Sequence, residues 1–272
     1  MAGKETQPLK TLIVGLGKTG LSCARYLARR GEYPDCAVFV GGFQPEVFEA
    51  AGRLLVSPGV AVSEPLIQAA AARGVEILGD IELFAREARA PVVAITGSNG
   101  KSTVTTLVGE MARASGLRVA MGGNLGEPAL QLLDPEVELY VLELSSFQLE
   151  TTHSLRAAAS VVLNVSADHM DRYPDLDAYS RAKQTVYRGA GVQVVNVDDP
   201  PVSGLADPQQ PCITYTTGAP VDDTGFGILA HHGASWVVQG SRPVMPVADI
   251  RLSGRHNLSN ALAALALGSA AG

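Results

Sequence analysis

The feature that most constrains this chain is a short apolar run, residues 92–96, that stops at Gly97, Ser98, Asn99, Gly100, Lys101, Ser102 and Thr103. Helical spacing then runs over residues 102–114 and ends at Ser115 and Gly116. In a strand, glycine turn and helix of this kind, backbone N–H groups and the positive end of the helix face phosphate oxygens. Lys101 can reach the β- and γ-oxygens, and a hydroxyl from Ser102 or Thr103 can ligate Mg²⁺. The spacing departs from G-x-x-x-x-G-K-[ST], since only Ser98 and Asn99 separate the two glycines. The physical requirement is unchanged by this. The segment reads as an ATP site.

Such a site needs oxygen ligands for Mg²⁺ from a neighbouring strand end. Residues 139–142 form an apolar strand closed by Glu143, which would meet the phosphates at the C-terminal edge of a parallel sheet. An ordinary exposed strand-end acid is the competing reading. After a further strand, residues 160–164, come Asp168, His169 and Asp171. His169 is there either a metal ligand backed by a carboxylate or a helix cap or surface pair, and both remain open. Lys183, in a helical stretch over residues 179–187, reads by itself as a surface lysine. His231 and His232 also read as surface. Asn257 and Asn260 introduce the last helix and could hold a base or phosphate, or merely cap the helix.

The start of the chain repeats the strand–glycine–helix pattern. Residues 11–14 are a β-rich run, Gly15, Gly17 and Gly20 match G-x-G-x-x-G, and residues 21–30 have helical spacing closed by Gly31. A nicotinamide site would want an acid at the end of the second strand, residues 37–40. That strand instead runs into Gly41 and Gly42, with Asp35 ahead of it. The turn therefore suits a diphosphate-bearing nucleotide other than NAD, or serves packing alone. Strands at residues 54–56 and 75–78, with a helix at 65–73 closed by Gly74, indicate βαβ units and a mostly parallel sheet.

These patterns predict an α/β protein with a domain boundary near residues 88–92. Residues 1–90 would form a Rossmann-like domain, and residues 91–272 an ATP-binding domain with a parallel sheet. Strands are expected at 119–121 and 192–196, and a small antiparallel patch over the Gly-, Pro- and Thr-rich residues 212–250. The apolar helix expected over residues 257–270 makes the chain read as unfinished.

Composition limits the function classes. A net charge of −6 and a pI near 5.4 argue against a general nucleic-acid binder, which needs clustered Lys and Arg. With 46% hydrophobic and 18% charged residues the chain is not disordered. No apolar run approaches the roughly 18–20 residues of a membrane span. Residues 1–10 lack a secretory core. Cys23, Cys36 and Cys212 are too scattered for a disulfide framework and fit a reducing cytoplasm. A cytoplasmic monomer that binds neither nucleic acid nor membrane is expected.

Residues 97–103, the run Glu143, Leu144, Ser145, Ser146, Phe147, Gln148, Leu149, Glu150, the run from Asp168 to Tyr173, and Gly254, Arg255, His256, Asn257 come in an order that resembles the Mur ligase family of peptidoglycan synthesis. Gly79, Asp80, Ile81, Glu82, Leu83 and Phe84 extend the likeness. The resemblance implies an ATP-dependent amide ligase that phosphorylates the alanyl carboxylate of UDP-N-acetylmuramoyl-L-alanine and passes it to the amine of D-glutamate. It implies that residues 97–103 bind ATP, with Lys101 on the β/γ-phosphates and Asn257 and Asn260 bordering adenine. Ser102 or Thr103 with Glu143 would serve one Mg²⁺; His169 with a carbamylated Lys183 would serve a second. Lys18, Thr19, Asn124 and Ser145 would contact the UDP-sugar, Gly15 and Gly17 its diphosphate, and Ser57, Pro58 and Gly59 its uracil side. Two departures are expected to matter. A third domain that binds D-glutamate is lacking, so the chain would bind without completing ligation. Val40 also runs directly into Gly41 where the family carries an acid-Thr-Arg segment, which suggests a splice. An NAD-dependent dehydrogenase and a non-catalytic nucleotide-binding module are the alternative readings.

Overall fold

The computed structural model describes residues 11–32, 36–39 and 43–272, without the side chains of Val38 and Phe39. The Val40–Gly41 junction lies outside the described residues, as does Asp35. Among the described residues the strands form two sheets.

The first sheet has the order β2-β1-β3-β4 and is parallel throughout: β1 (Thr11–Val14), β2 (Cys36–Phe39), β3 (Arg53–Val56) and β4 (Glu76–Leu78). Helices α1 (Lys18–Arg29), α2 (Pro45–Glu49), α3 (Pro65–Ala72) and α4 (Asp80–Glu87) connect and flank these strands. Period-two alternation decides which helix covers which face. Ile13 and Leu55 pack with Cys23, Leu27, Ile81 and Phe84 of α1 and α4. Leu12, Val14, Leu54 and Val56 pack with Phe48, Ile67 and Ala70 of α2 and α3. Helix α4 is new relative to the sequence reading, which had no helix over residues 80–87.

The second sheet has the order β13-β12-β11-β10-β9-β8-β5-β7-β6. Its strands are β5 (Val92–Thr96), β6 (Val119–Gly123), β7 (Leu139–Glu143), β8 (Ala159–Val162), β9 (Val192–Asn196), β10 (Cys212–Tyr215), β11 (Phe226–His231), β12 (Ala234–Gln239) and β13 (Arg242–Pro246). The helices here are α5 (Lys101–Ala114), α6 (Ser146–Leu149), α7 (Leu176–Gln184), α8 (Pro200–Ser203) and α9 (Arg255–Ala271). Strand β5 is flanked by β7 and β8, both parallel to it, so the ends of all three strands share one edge. Val93 and Ile95 face α5 and the small Ala263, Ala264 and Ala266 of α9, whereas Ala94 faces the cluster that holds Ile13 and Phe84. One apolar cluster therefore runs through both sheets.

The α/β reading with parallel sheets and a small antiparallel patch is borne out. The patch is narrower than expected: β11, β12 and β13 are antiparallel, but β10 runs parallel to β9 and extends the main sheet. Buried Tyr215 anchors β10 to that core. Helix α7 starts earlier than residue 179, because the Asp175 side chain caps it by accepting from the Ala178 N–H at 2.7 Å. No helix among the described residues is long and apolar enough to cross a membrane.

Candidate active site

The edge where β5, β7 and β8 end carries the glycine loop. Gly97 and Gly100 have positive φ, +151° and +84°, and a Cβ on Gly100 would lie 2.5 Å from Asn260 Oδ1. The loop is pinned to the end of β8. Asn99 N–H donates to Asn164 Oδ1 at 2.8 Å, Asn164 Nδ2 donates to Asn99 O at 3.0 Å, and Ser98 Oγ donates to Ser166 O at 3.1 Å. No side chain caps α5, so the first-turn N–H groups keep their capacity for an anion. Lys101 Nζ folds back over its own loop, donating to Gly97 O at 2.9 Å and Ser98 O at 3.0 Å.

Lys183 reaches the same carbonyl. Its Nζ donates to Gly97 O at 2.9 Å and lies 4.4 Å above the Tyr179 ring. The surface reading of Lys183 is overturned: it is 1% exposed, because α7 turns that face onto the loop rather than to solvent. Burial, and then the charge of Lys101, lower its pKa to about 7, against a small opposing effect of Asp168.

Glu143, 3% exposed, closes β7 as expected. Its Oε2 accepts from Ser102 Oγ and its Oε1 from Asn124 Nδ2, both at 2.8 Å. Ser102 rather than Thr103 meets this carboxylate. His169 adopts a left-handed φ of +55° with a 45% exposed side chain, near Asp168 Oδ2 at 3.5 Å and the Phe147 ring at 4.8 Å. Lys183 and His169 both border Tyr179. No group of three His, Cys, Asp or Glu forms a ready metal cluster among the described residues. The terminal-helix amides are not caps of α9: Asn257 Nδ2 donates to Ser253 O at 2.8 Å, and Asn260 packs beside Gly100. His231 and His232 meet edge to face, with ring centroids 4.0 Å apart, away from these groups and beside Trp236.

Next to the loop lies a cleft of about 390 Å³ between the two sheets. The first glycine turn forms one wall. Gly15 has φ +91°, and a Cβ on Gly20 would run into the Gly15 carbonyl oxygen, so both positions require glycine. Gly15, Gly17, Lys18, Thr19, Ser57, Pro58, Gly59 and Asn124 all line the cleft. Ser145 does not; its side chain instead caps α6, accepting from Gln148 N–H at 3.2 Å.

Gln148 is a cleft residue that the sequence reading missed. It returns the cap by accepting Ser145 N–H at 3.1 Å and donates to Asp80 Oδ2 at 3.3 Å. The S-x-x-Q spacing was the available signal. Asp80 is buried with Oδ1 unpartnered, and burial raises its pKa to about 6. Nearby, Glu82 staples α4 to the second sheet by accepting from His153 N–H, Ser154 N–H and Ser154 Oγ at 2.7–2.8 Å. Burial alone would raise its pKa, but these bonds and Arg86 outweigh it and hold the carboxyl low.

A two-sheet α/β frame with a phosphate-type loop, a strand-end carboxylate and an adjoining cleft defines a class. Residues 95–268 match the Mur ligase middle domain and residues 32–79 the Mur ligase MurD-like N-terminal domain, and the chain belongs to the Mur ligase family. It is 52% identical to the UDP-N-acetylmuramoylalanine–D-glutamate ligase of Nitrosococcus oceani over 283 residues, covering 96% of this chain and 62% of that protein. The enzyme of the same name from Marinobacter nauticus is 50% identical, with 97% and 63% covered. This chain thus spans under two thirds of the length of these relatives. In fold it is similar to the UDP-N-acetylmuramate:L-alanyl-gamma-D-glutamyl-meso-diaminopimelate ligase of Neisseria meningitides, with a TM-score of 0.62 at 18% identity over 97% of this chain and 94% of that one. It is also similar to the UDP-N-acetylmuramate-alanine ligase of Thermotoga maritima, with a TM-score of 0.54 at 18% identity over 96% and 64%.

Proposed function

We propose that this chain carries the ATP-handling and UDP-substrate-handling parts of a ligase that joins D-glutamate to UDP-N-acetylmuramoyl-L-alanine. One observation carries the reading. Asn124 lines the cleft and donates to Glu143, which in turn accepts from Ser102 at the start of α5. A carboxylate at the inner end of a cleft ligand is thereby brought beside the phosphate loop. In this reading residues 1–90 hold the UDP-sugar and residues 91–272 hold ATP.

The residues fit Mg-ATP. Lys101 binds phosphate oxygens once its present carbonyl contacts exchange for anionic ones, which are stronger acceptors. Glu143 and the Ser102 hydroxyl form the hard oxygen set that Mg²⁺ takes. When bound, Mg²⁺ neutralises charge that develops on the transferring phosphoryl group. Asn257 and Asn260 border the adenine side. The γ-phosphoryl group passes to the alanyl carboxylate, breaking the β–γ bond and leaving ADP. The D-glutamate amine then attacks the acyl phosphate carbon, loses a proton, and the intermediate collapses by expelling phosphate.

Lys183 suits carbamylation, because a pKa near 7 leaves much of its amine neutral and nucleophilic toward CO₂. The product is an oxygen donor, able with His169 to take a second Mg²⁺. Calorimetry tests the reading. Mg-ATP and UDP-N-acetylmuramoyl-L-alanine should each bind and NADH should not; binding of NADH in place of the UDP-sugar would overturn it.

A further inference from the structure

Outside the groups used so far, one cation joins the two sheets. Arg172 lies in the turn that follows His169, where Arg172 N–H and Tyr173 N–H both donate to His169 O, at 2.9 and 3.1 Å. Its guanidinium crosses to the first sheet. Nη1 donates to Pro58 O at 3.1 Å and Nη2 to Val60 O at 3.0 Å, the two carbonyls that bracket Gly59 in the cleft wall. Nη2 also donates to Glu150 Oε2 at 3.0 Å, and the group lies 4.4 Å over the Phe147 ring. Tyr173 Oη holds the other carboxylate oxygen, Glu150 Oε1, at 2.6 Å. The ion pair is shielded, with side chains 14% and 13% exposed.

We propose that Arg172 is a positioning residue for the UDP-substrate: it fixes the wall formed by residues 57–60 in its binding geometry. The inference rests on the reading of the cleft given above. Within the first sheet the wall is held by Ser57 N–H to Val14 O, Ser57 Oγ to Gly15 O, the Val60 N–H to Ser57 O turn and the packing of Val60 on the cluster of Leu12 and Val56. Pro58 has no N–H to donate, and Gly59 has open space around its Cβ position, so neither side chain ties the tip of the loop down. The tip takes its geometry from the guanidinium. A planar fork with five donors can serve two carbonyls and a carboxylate together, whereas an ammonium is a point charge.

The wall lines the cleft, which residues 97–103 do not, so loss of Arg172 should separate the two ligands. Calorimetry with UDP-N-acetylmuramoyl-L-alanine and, separately, with a Mg²⁺-bound non-hydrolysable ATP analogue would be run on wild type, Arg172→Lys and Arg172→Ala. Expected is UDP-substrate affinity at least tenfold weaker in Arg172→Ala and intermediate in Arg172→Lys, with affinity for the ATP analogue changed less than twofold. A purely structural role would lower the melting temperature and leave the ratio of the two affinities unmoved. If Arg172→Ala does not fold, Arg172→Lys carries the comparison alone. An unchanged ratio in folded variants overturns the inference. Wild-type protein that does not bind the UDP-substrate overturns the reading of the cleft, and the inference with it.

Discussion

Lys183 Nζ lies 2.9 Å from the carbonyl oxygen of Gly97, a residue 86 positions earlier in the chain. Lys101 Nζ donates to that same oxygen at 2.9 Å. Two ammonium groups thus share one acceptor, and burial weakens the hold of Lys183 on its proton. The unfolded chain keeps the Lys183 proton up to about pH 10.5, and the folded chain only to about pH 7. Below pH 7 both states are protonated, so the cost of burying the charge is present in full. Between pH 7 and 10.5 the unfolded state binds more protons, so stability rises with pH.

Lys183→Met should therefore gain stability relative to wild type at pH 6 and lose that advantage by pH 10. The swing should be on the order of a few kcal/mol, since each pKa unit corresponds to about 1.4 kcal/mol. Urea unfolding across this range in bicarbonate-free buffer measures it. A pH-independent difference would show that the ammonium is not strained.

The carbamate reading of Lys183 makes a separate prediction for the ligation proposed above. Lys183→Ala should be nearly inactive and partly restored by added short carboxylates, because these can fill the vacated oxygen-ligand position. Wild-type turnover in the unsupplemented variant would end that reading.

Lys101→Ala removes a charge-assisted contact worth roughly 1.5–3 kcal/mol. ATP affinity measured by calorimetry should fall by about tenfold or more. The UDP-sugar should bind as before, since Lys101 does not line the cleft.

Glu143→Gln places an amide where Ser102 Oγ and Asn124 Nδ2 now donate. The amide keeps both bonds if its oxygen accepts from Asn124 Nδ2 and its NH₂ donates to Ser102 Oγ, a hydroxyl that also accepts. Stability should then fall by no more than about 1 kcal/mol. The sharper readout is Mg²⁺: its enhancement of ATP binding should vanish, while metal-free ATP binding changes little. An undiminished Mg²⁺ effect would remove Glu143 from the metal site.

Gly20→Ala should destabilise the protein by about 1–3 kcal/mol, because the new methyl group meets the Gly15 carbonyl oxygen, which is backbone and cannot swing aside. Gly17→Ala, with open space at its Cβ position, should fold nearly as well as wild type. Thermal unfolding of the two variants side by side separates these cases.

Local chemistry made much of this protein legible from its sequence. Short apolar runs, glycine turns and helical spacing announced β1, α1, β5 and α5, since period, turn conformation and helix termination are properties of neighbouring residues. Glu143 could be placed at a strand end by the same logic, and the family likeness picked out most of the residues that line the cleft. Tertiary structure decided what depends on distant partners. Lys183 looks like any surface lysine until α7 packs its face onto the Gly97 loop. Gln148 becomes a cleft residue only when α4 supplies Asp80. Arg172 acquires its role from carbonyls at Pro58 and Val60, more than 100 positions away. Burial and a shared acceptor arise when separate segments meet, so no window of sequence contains them.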